Sequence, residues 1–410
     1  MRRAVELRSY YLEAHNILCQ TLERANRIDD LAAALASAKA QCPGEHPQLQ
    51  LREAELLKRK KDFAASKACL EGSAWRSADT ETQEVAAYLL CDLCDRLDEA
   101  DTAFEYAVDA NRICAASLAA QRMDRSAYFR LIEELSSAFN SQNVADWTEY
   151  SVSQDRPEPV FLVGFPRSGT TLLNTILHSH ARITVTEEVS TVFALESALR
   201  KMTGGTLDDL AGLEAGQIES LQRVYFDELD KHLDAPDGQM LVVDKLPLNL
   251  VQAGVIYRVF PRAKFVFAQR HPCDAVLSCY MRTFRMNEAM VNCLDLTSAA
   301  RLYDSVMRLW RQYQDNLDLK VHTVRYEALI TDFDSTVSAC LEFLGMDWDD
   351  GVRDYVETAQ RSGQISTPSY DQVTQALYKE ASGRWHRYRE RLEPVLPVLL
   401  PWAERMGYTE

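Results

Sequence analysis

The sequence predicts an α/β domain with a parallel sheet covered on both faces, preceded by an all-α domain. From residue 160 onward, short apolar runs alternate with segments of helical spacing, the pattern of a parallel sheet. Residues 1 to about 141 instead contain alanine-rich amphipathic helices and no strand pattern. A polar stretch with two prolines, 151–159, indicates a linker. We therefore expect an all-α domain at 1–147 and an α/β domain at 148–410.

The composition is that of a soluble globular protein. The 410 residues are 47% hydrophobic and 26% charged, and 45 basic against 61 acidic residues give a net charge of −16. This balance argues against nucleic acid as a partner, because phosphate backbones demand a basic surface. No apolar run approaches membrane-spanning length, and Met1-Arg2-Arg3 leads into no secretory apolar core. We expect a cytoplasmic protein without a membrane span.

The ten cysteines support a reducing compartment, since several stand at apolar positions of predicted helices. The pair Cys91-x2-Cys94 has no second cysteine or histidine pair at ligand spacing, so we expect no zinc site there.

The N-terminal half contains a loose internal repeat. Lys61-Asp62-Phe63-Ala64 recurs as Leu97-Asp98-Glu99-Ala100, 36 residues on, and Ile28-Asp29-Asp30-Leu31 precedes the first by 33 residues. Periods near 34 indicate tetratricopeptide-like helix hairpins. The usual repeat glycine and tryptophan are missing, so a plain helical bundle is the alternative. A scaffold or dimerisation role is favoured over a peptide groove, and a homodimer is plausible.

Five strands are predicted in the second half, and ligands of such sheets bind at the carboxyl ends of the strands. The predicted strands are Val160–Gly164, Ile183–Val185, Leu241–Val243, Lys264–Ala268 and His322–Val324. Helices rich in Asp and Glu are expected over 207–233 as an insertion on the substrate side.

The turn after the first strand has the spacing of a phosphate-binding loop, Gly164-x4-Gly169-Thr170-Thr171. Backbone N–H groups and the helix dipole at such a strand-to-helix turn suit a phosphate or sulfate group. Thr170 stands where a nucleotide-hydrolysing loop carries lysine. The anion-binding candidates are Arg167, Ser168, Gly169, Thr170 and Thr171.

A second candidate anion site follows the fourth strand. Arg270 comes at the strand end, Pro272 suits the first turn of a new helix, and Ser278 lies about two turns along it. An arginine fork and a hydroxyl together match the geometry of a phosphate group.

The sequence Phe-Pro-Arg-Ser-Gly-Thr-Thr-Leu-Leu at 165–173, combined with Arg270 and Ser278, resembles the sulfotransferases that use 3′-phosphoadenosine 5′-phosphosulfate. The resemblance covers about residues 159–408 and implies a P-loop three-layer sulfotransferase domain. It implies that the loop grips the 5′-phosphosulfate and that Arg270 and Ser278 grip the 3′-phosphate. The helices in front resemble those of bacterial-type members with tetratricopeptide repeats, and the catalytic half resembles the tyrosylprotein sulfotransferases.

Two further strand ends carry catalytic candidates. Adjacent carboxylates such as Glu187-Glu188 are often solvated, but one beside an anion site can act as a general base, and the resemblance implies that role for Glu188. Val189-Ser190 departs from the tyrosylprotein pattern, which weakens the case for a tyrosyl-peptide acceptor. Asp244 ends an apolar strand, as magnesium ligands of nucleotide hydrolases do, but Lys245 follows at once and suits a metal-free site. The resemblance implies that this lysine neutralises the bridging oxygen.

The remaining candidates lie towards the C-terminus and come from the resemblance. It implies that Ser369 stabilises the leaving group and that Lys379 and Arg384 belong to a lid over the nucleotide. Arg325-Tyr326-Glu327 also recurs in the family. Tyr326 is counted with the donor site, and Glu327 is expected to start the next helix.

The expected function is in-line sulfuryl transfer to a hydroxyl or amine, with Glu188 as base and no metal. The alternatives are a P-loop kinase or NTPase that uses Asp244 for magnesium, and a nucleotide-binding repeat adaptor without catalysis. The acceptor class stays open between small molecules, lipids, sugars and peptides. We expect acceptor specificity to lie in 190–235 and in the helical half.

Overall fold

The structure, a computed structural model, describes residues 2–145, 147, 156–207, 210–233, 240–361 and 382–408. Within these ranges, the chain is helical up to residue 145 and forms a parallel sheet with flanking helices from residue 160. The predicted α/β fold with a preceding all-α region is therefore confirmed. The domain boundary at 147/148 stays a prediction. No helix in the described ranges combines the length and the apolar character needed to cross a bilayer.

Three helix hairpins dominate the N-terminal region. Its helices are α1 (Arg2–Leu7), α2 (Leu12–Arg24), α3 (Ile28–Gln41), α4 (Pro47–Arg59), α5 (Phe63–Glu71), α6 (Thr80–Arg96), α7 (Ala100–Ala115), α8 (Leu118–Gln121), α9 (Ala127–Ala138) and α10 (Ser141–Ala145). The hairpins pair α2 with α3, α4 with α5, and α6 with α7. In each turn one residue takes a left-handed backbone: Asn26, Lys61 and Asp98 have φ of 54°, 65° and 62°. The same turn thus recurs along the region, while the tetratricopeptide-like assignment stays a prediction.

The sheet has five parallel strands in the order β2-β3-β1-β4-β5. They are β1 (Val160–Gly164), β2 (Ile183–Glu187), β3 (Leu241–Lys245), β4 (Lys264–Gln269) and β5 (Lys320–Arg325). All five predicted strands exist, but β2 and β3 each continue two residues beyond their predicted ends. Glu187 pairs with Lys245 in the parallel register. The sequence predicts that both residues follow their strands, whereas in the structure each is the last residue of its strand. Pairing with a neighbouring strand outweighs the low strand propensity of these charged residues.

Helices cover both faces of this sheet. They are α11 (Thr170–His178), α12 (Thr191–Met202), α13 (Ala215–Asp230), α14 (Ala253–Val259), α15 (Pro272–Tyr280), α16 (Leu296–Asn316), α17 (Tyr326–Thr331), α18 (Phe333–Leu344), α19 (Tyr355–Arg361), α20 (Arg389–Leu392) and α21 (Leu396–Arg405). Short 3-10 turns occur at Trp75–Ser77, Pro247–Leu250, Met290–Leu294, Asp350–Asp354 and Arg384–Tyr388. Of the helices expected over 207–233, the described residues form α13, and Pro272 does begin the helix that carries Ser278.

The apolar core on one face of the sheet is continuous with the N-terminal helices. Side chains from α6, α7 and α9 belong to the same buried cluster as those of β1 and α16. Gly254 shows how close this packing is, because a Cβ there would lie 2.7 Å from ring carbons of Phe139 and 2.6 Å from Tyr313. A second cluster, on the other face, joins α11 to α18. The helical region is therefore packed onto the sheet through a shared core.

Candidate active site

The strand order indicates a ligand-binding crevice at the carboxyl end of the sheet beside β1. The chain leaves β1 towards β2 on one side, whereas it leaves β4 towards β5 on the other. In open parallel sheets, loops that diverge in this way form the ligand-binding crevice. Arg167 follows β1, Lys245 ends β3 and Arg270 follows β4, so these three predicted residues lie at one edge of the sheet.

The loop after β1 has an unusual backbone. Arg167 has φ of 69° and Gly169 has φ of 91°, both in the left-handed region. A Cβ at Gly169 would lie 2.7 Å from Cδ2 of Tyr326, so glycine is required both for its conformation and for this contact. Gly169 is the N-cap of α11 and has no side chain to cap it, which leaves the first N–H groups of the helix oriented towards the loop. Ser168, Thr170 and Thr171 are buried beside them.

Arg167 and the second predicted anion site are in direct contact. Arg167 Nε donates a hydrogen bond to Ser278 Oγ at 3.0 Å, and Arg270 Nη1 donates to the Arg167 carbonyl oxygen at 3.0 Å. The Arg270 guanidinium stacks over the Tyr326 ring, 4.9 Å from its centroid. The structure thus brings together four side chains from three predicted motifs that are far apart in sequence.

Positive charge converges on Arg167. Burial, followed by the charges of Arg282, Arg270 and Arg384, lowers the pKa of the Arg167 guanidinium to about 9. Burial disfavours a charge of either sign, but the part of the shift that comes from the neighbouring arginines shows that positive charges are crowded around Arg167, and such crowding favours an anion. Guanidinium groups in such a cluster are suited to phosphate and sulfate oxygens.

Lys245 and Glu188 form an ion pair on the other side of the loop. Lys245 is fully buried, and its Nζ lies 3.0 Å from Glu188 Oε1 and 3.7 Å from Glu187 Oε1. The Glu188 side chain is 44% exposed, so an acceptor molecule can reach it. The Glu188 N–H donates to the Lys245 carbonyl at 2.8 Å, and its φ of 54° is left-handed. A left-handed glutamate is strained, and such residues cluster at functional sites.

Asp244 faces away from this ion pair, because neighbouring strand residues point to opposite faces of the sheet. Its carboxylate is 1% exposed and accepts hydrogen bonds from Thr191 Oγ1 at 2.5 Å and Tyr225 Oη at 3.1 Å. Burial raises the pKa of Asp244 to about 6. The hypothesis that used this residue as a magnesium ligand is not favoured, since the carboxylate is buried and one of its oxygens already accepts from two hydroxyls.

The segment around Arg384 is anchored at both ends. The N–H groups of Gly383 and Trp385 each donate to Asp274 at 2.8 Å, and Arg384 Nε donates to Asp95 at 3.1 Å. Asp95 lies on α6 and also accepts from Tyr388 Oη at 2.6 Å. Arg384 therefore lies between the helical region and the arginine cluster. Ser369 and Lys379, the other candidates of this region, lie outside the described residues.

Glu327 falls in the first turn of α17, as expected, and has a second function in packing. One of its oxygens accepts from the His271 N–H at 3.1 Å and the other from Tyr408 Oη at 2.9 Å. These bonds fix the backbone between Arg270 and α15. Arg270 is thereby held at the end of β4.

Sequence reasoning missed Arg282 and the two carboxylates on α6. Arg282 Nη2 donates to Asp92 Oδ1 at 2.6 Å, and Asp92 also accepts from Lys58 and Arg96 at 3.0 Å. Arg282 stands four residues after Ser278, a helical spacing that would have marked it as a further basic candidate. No local signal links Asp92 or Asp95 to the arginine cluster, because Arg282 and Arg384, their partners there, are 190 and 289 residues away.

Comparison with known proteins finds sequence relatives of the α/β region. Residues 159–350 match the sequence model of the Sulfotransferase family. A protein of Aquifex aeolicus is 24% identical over 329 residues, which cover 78% of this chain and 42% of that protein. Protein-tyrosine sulfotransferase 2 of Gallus gallus is 26% identical over 279 residues, which cover 63% of this chain and 71% of that protein. The chain thus spans less than half the length of the Aquifex relative.

Solved structures give a weaker likeness. The sulfotransferase domain of the Synechococcus PCC 7002 olefin synthase aligns with a TM-score of 0.43 at 18% identity, over 64% of this chain and 99% of that domain. The family match instead rests on sequence, and it begins one residue before β1 and includes the loop, Glu188, Lys245, Arg270 and Ser278. Residues 159–350 of the chain therefore resemble the sulfotransferase family in sequence.

Proposed function

We propose that the protein transfers a sulfuryl group from 3′-phosphoadenosine 5′-phosphosulfate to a hydroxyl or amine acceptor. The observation that carries this proposal is the arrangement on the two sides of one loop. The Lys245–Glu188 ion pair lies on the β3 side, and the cluster of Arg167, Arg270 and Ser278 lies on the β4 side. The donor has two separate anionic ends, so it needs two basic sites joined by an anion-binding loop.

The arginine cluster fits the donor on electrostatic grounds. The pKa of Arg167 is lowered to about 9 mainly by burial, and repulsion from Arg282, Arg270 and Arg384 adds to the shift, so an anion bound beside these groups would relieve that repulsion. In our assignment, Arg270 and Ser278 bind the 3′-phosphate, Tyr326 packs against Arg270, and the loop from Arg167 to Thr171 binds the 5′ end. Arg384 contributes positive charge from the opposite wall. Ser369 and Lys379 keep their expected roles in the proposal.

The chemical step uses Glu188 and Lys245. Glu188 accepts the proton of the acceptor hydroxyl or amine as that oxygen or nitrogen forms a bond to sulfur. The sulfur–oxygen bond to the departing 5′-phosphate breaks in the same displacement, and its electron pair stays on the phosphate oxygen. Lys245 donates a hydrogen bond to that oxygen as its negative charge develops. Because the charge is stabilised by lysine and loop N–H groups, the proposed step needs no metal ion.

Calorimetric titration with 3′-phosphoadenosine 5′-phosphate tests donor binding. We expect one site per chain and a loss of affinity of tenfold or more in Arg270→Ala, since a charge-assisted contact is removed. No binding by the wild-type protein, or equal binding by the variant, contradicts the proposal. It would leave the P-loop NTPase, which predicts magnesium-dependent ATP turnover instead.

Transfer of labelled sulfate to an acceptor mixture tests the chemical step. Glu188→Gln should bind the nucleotide normally and lose roughly a hundredfold or more in transfer rate, because a general base contributes about that much. Glu187→Gln, one residue away, should lose much less. Full transfer activity in Glu188→Gln would refute the base assignment. Nucleotide binding without transfer in the wild-type protein would favour the non-catalytic adaptor.

The proposal includes a cytoplasmic location. All ten cysteines are present as thiols and nine of them are buried. Such thiols persist in a reducing compartment. The acceptor class stays open at this level, and the homodimer stays a prediction.

A further inference from the structure

A cavity of about 780 Å³ lies between the helical region and the sulfotransferase domain. Its walls come from α9, from the start of α12, from the segment after β3 and from residues 286–289. This volume is within the range of small-molecule sites, about 300–1,000 Å³. The cavity therefore has the size of a ligand site, and the N-terminal region contributes one of its walls.

The cavity adjoins the Lys245–Glu188 ion pair through two segments of chain. Leu246 and Leu248 in its wall come one and three residues after Lys245. Val192 and Phe193 come four and five residues after Glu188. Lys245 and Glu188 thus each stand just before a segment of chain that lines the cavity. The cavity lining contains none of Arg167, Arg270, Arg282 and Arg384, so the cavity and the arginine cluster are lined by different residues.

The walls are mostly apolar. Tyr128 and Leu131 of α9 face Val192, Phe193 and Leu248 across the cavity. Phe193 is 69% exposed although it is a large apolar side chain, and the other four are partly or fully buried. An exposed aromatic ring at the rim of an apolar cavity is typical of a ligand-binding surface.

The charges in the walls neutralise one another. Arg200 donates to both oxygens of Glu134, at 2.8 and 2.9 Å, and to Glu196 at 2.8 Å. The remaining basic side chain of the lining, Arg130, pairs with Asp124 at 2.6 Å. The described lining thus offers no surplus positive charge to an acidic acceptor. Glu288, also in the lining, adds a negative charge that repels one.

The wall also contains two buried polar atoms without a hydrogen-bond partner among the described residues. They are Asn249 Nδ2, a donor, and Gln252 Oε1, an acceptor. Both atoms are closed to solvent, so they offer a ligand in the cavity no accessible hydrogen-bonding group. The cavity therefore suits a molecule with a large apolar body and few polar groups.

We infer that this cavity is the acceptor site and that its ligand is an uncharged amphiphile, an apolar molecule with a single reactive hydroxyl. This inference rests on the proposed function and adds the substrate class to it. The helical region then selects the acceptor through α9. An acidic peptide is the acceptor class that the cavity fits least.

A series of 4-alkylphenols, from 4-methylphenol to 4-octylphenol, tests the substrate class with the full chain. If the alkyl group enters the cavity, kcat/KM for sulfation rises with each added methylene, by up to about fourfold per group. A tyrosyl peptide flanked by glutamates should be a poorer acceptor than 4-octylphenol. A flat series, or a preference for the acidic peptide, overturns the inference.

Two variants and a matched control test the location. Leu131→Trp fills the cavity from α9 and should abolish the dependence on alkyl length, whereas Glu133→Trp places the same side chain on the exposed face of the same helix. Phe193→Ser removes an exposed ring, so it should weaken the longer phenols by tenfold or more without unfolding the protein. Equal kinetics of Leu131→Trp and Glu133→Trp contradict the assignment.

A binding assay separates this inference from the proposed function. The neutral fluorophore N-phenyl-1-naphthylamine should bind the wild-type protein, be displaced by 4-octylphenol, and bind Leu131→Trp at least tenfold more weakly. Nucleotide binding, measured by calorimetry, should be the same in both proteins. If the nucleotide binds and the fluorophore does not, the acceptor site is wrong and the donor site stands. If the fluorophore binds and the nucleotide does not, the proposed function fails instead.

Discussion

Asp95 on α6 accepts a hydrogen bond from Arg384 Nε at 3.1 Å, although 289 residues separate the two. Both side chains are buried, at 9% and 8% exposure. Burial lowers the pKa of Arg384, but the interactions with Asp95, Tyr388 and Cys91 together outweigh burial and raise that pKa above its ordinary value. Asp92, one helical turn away, holds Arg282 in the same manner. The helical region thus supplies the counter-charges for two arginines that surround the loop.

Asp95→Asn should destabilise the protein and weaken nucleotide binding. Removing one partner of a buried ion pair leaves an uncompensated charge and costs about 3–5 kcal/mol. Arg384 also loses the bonds that fix its position. Chemical denaturation measures the first effect and calorimetry with 3′-phosphoadenosine 5′-phosphate the second. Asp98→Asn is the control, because Asp98 pairs with Arg387 but is 82% exposed, and it should change neither quantity appreciably. Equal behaviour of the two variants would refute the structural importance of the buried pair.

Lys245→Met should lower the transfer rate by roughly a hundredfold, the cost of losing one preorganised donor at a developing negative charge. The methionine keeps most of the buried apolar volume, so the fold should survive. Single-turnover kinetics with saturating donor measure the chemical step itself. Lys264→Met is the control, because Lys264 begins β4 at the opposite edge of the sheet. It removes a lysine that donates to the Phe343 carbonyl and should leave the transfer rate unchanged. A Lys245→Met rate within threefold of wild type would exclude leaving-group stabilisation by this lysine.

Gly169→Ala should weaken nucleotide binding by tenfold or more. The added Cβ would lie 2.7 Å from the Tyr326 ring, and alanine at φ of 91° costs about 1–2 kcal/mol. Tyr326 must then move, together with Arg270 stacked on it. Titration calorimetry and thermal unfolding check the two effects. Gly216→Ala on α13 has open space around the new methyl group and should leave both measurements nearly unaltered. Normal nucleotide affinity in Gly169→Ala would show that the loop tolerates a different backbone.

Asp244 should make stability depend on pH. Burial raises its pKa from 3.8 to about 6, so the folded protein binds this proton more tightly than the unfolded chain does. The free energy of unfolding therefore falls as pH rises from about 4 to about 6, by on the order of 3 kcal/mol, and is level above that range. Asp244→Asn removes this contribution. Urea unfolding of both proteins at intervals from pH 4 to 8 measures the difference, and parallel curves would contradict the pKa shift.

The sequence was sufficient for the strands and for the order of the motifs, because apolar runs and small-residue turns are local signals. It placed the ends of β2 and β3 two residues too early, since Glu187 and Lys245 are poor strand formers that pair only in the sheet. The opposite orientations of Asp244 and Lys245 followed from strand alternation once those ends were known. Asp92, Asp95 and the cavity between α9 and α12 had no local signal. These two residues and the cavity arise from contacts between segments distant in the chain, and such contacts leave no recognisable pattern in a single sequence.

The core that α6, α7 and α9 share with the sheet has a consequence for protein engineering. A fragment that starts at residue 148 would leave the face around Tyr280 and Tyr313 open to water and Arg282 and Arg384 without Asp92 and Asp95. Such a fragment should aggregate, even though it contains every residue of the family match. Chimeras that exchange acceptor range between related chains should therefore graft the helices and the sheet as a single unit.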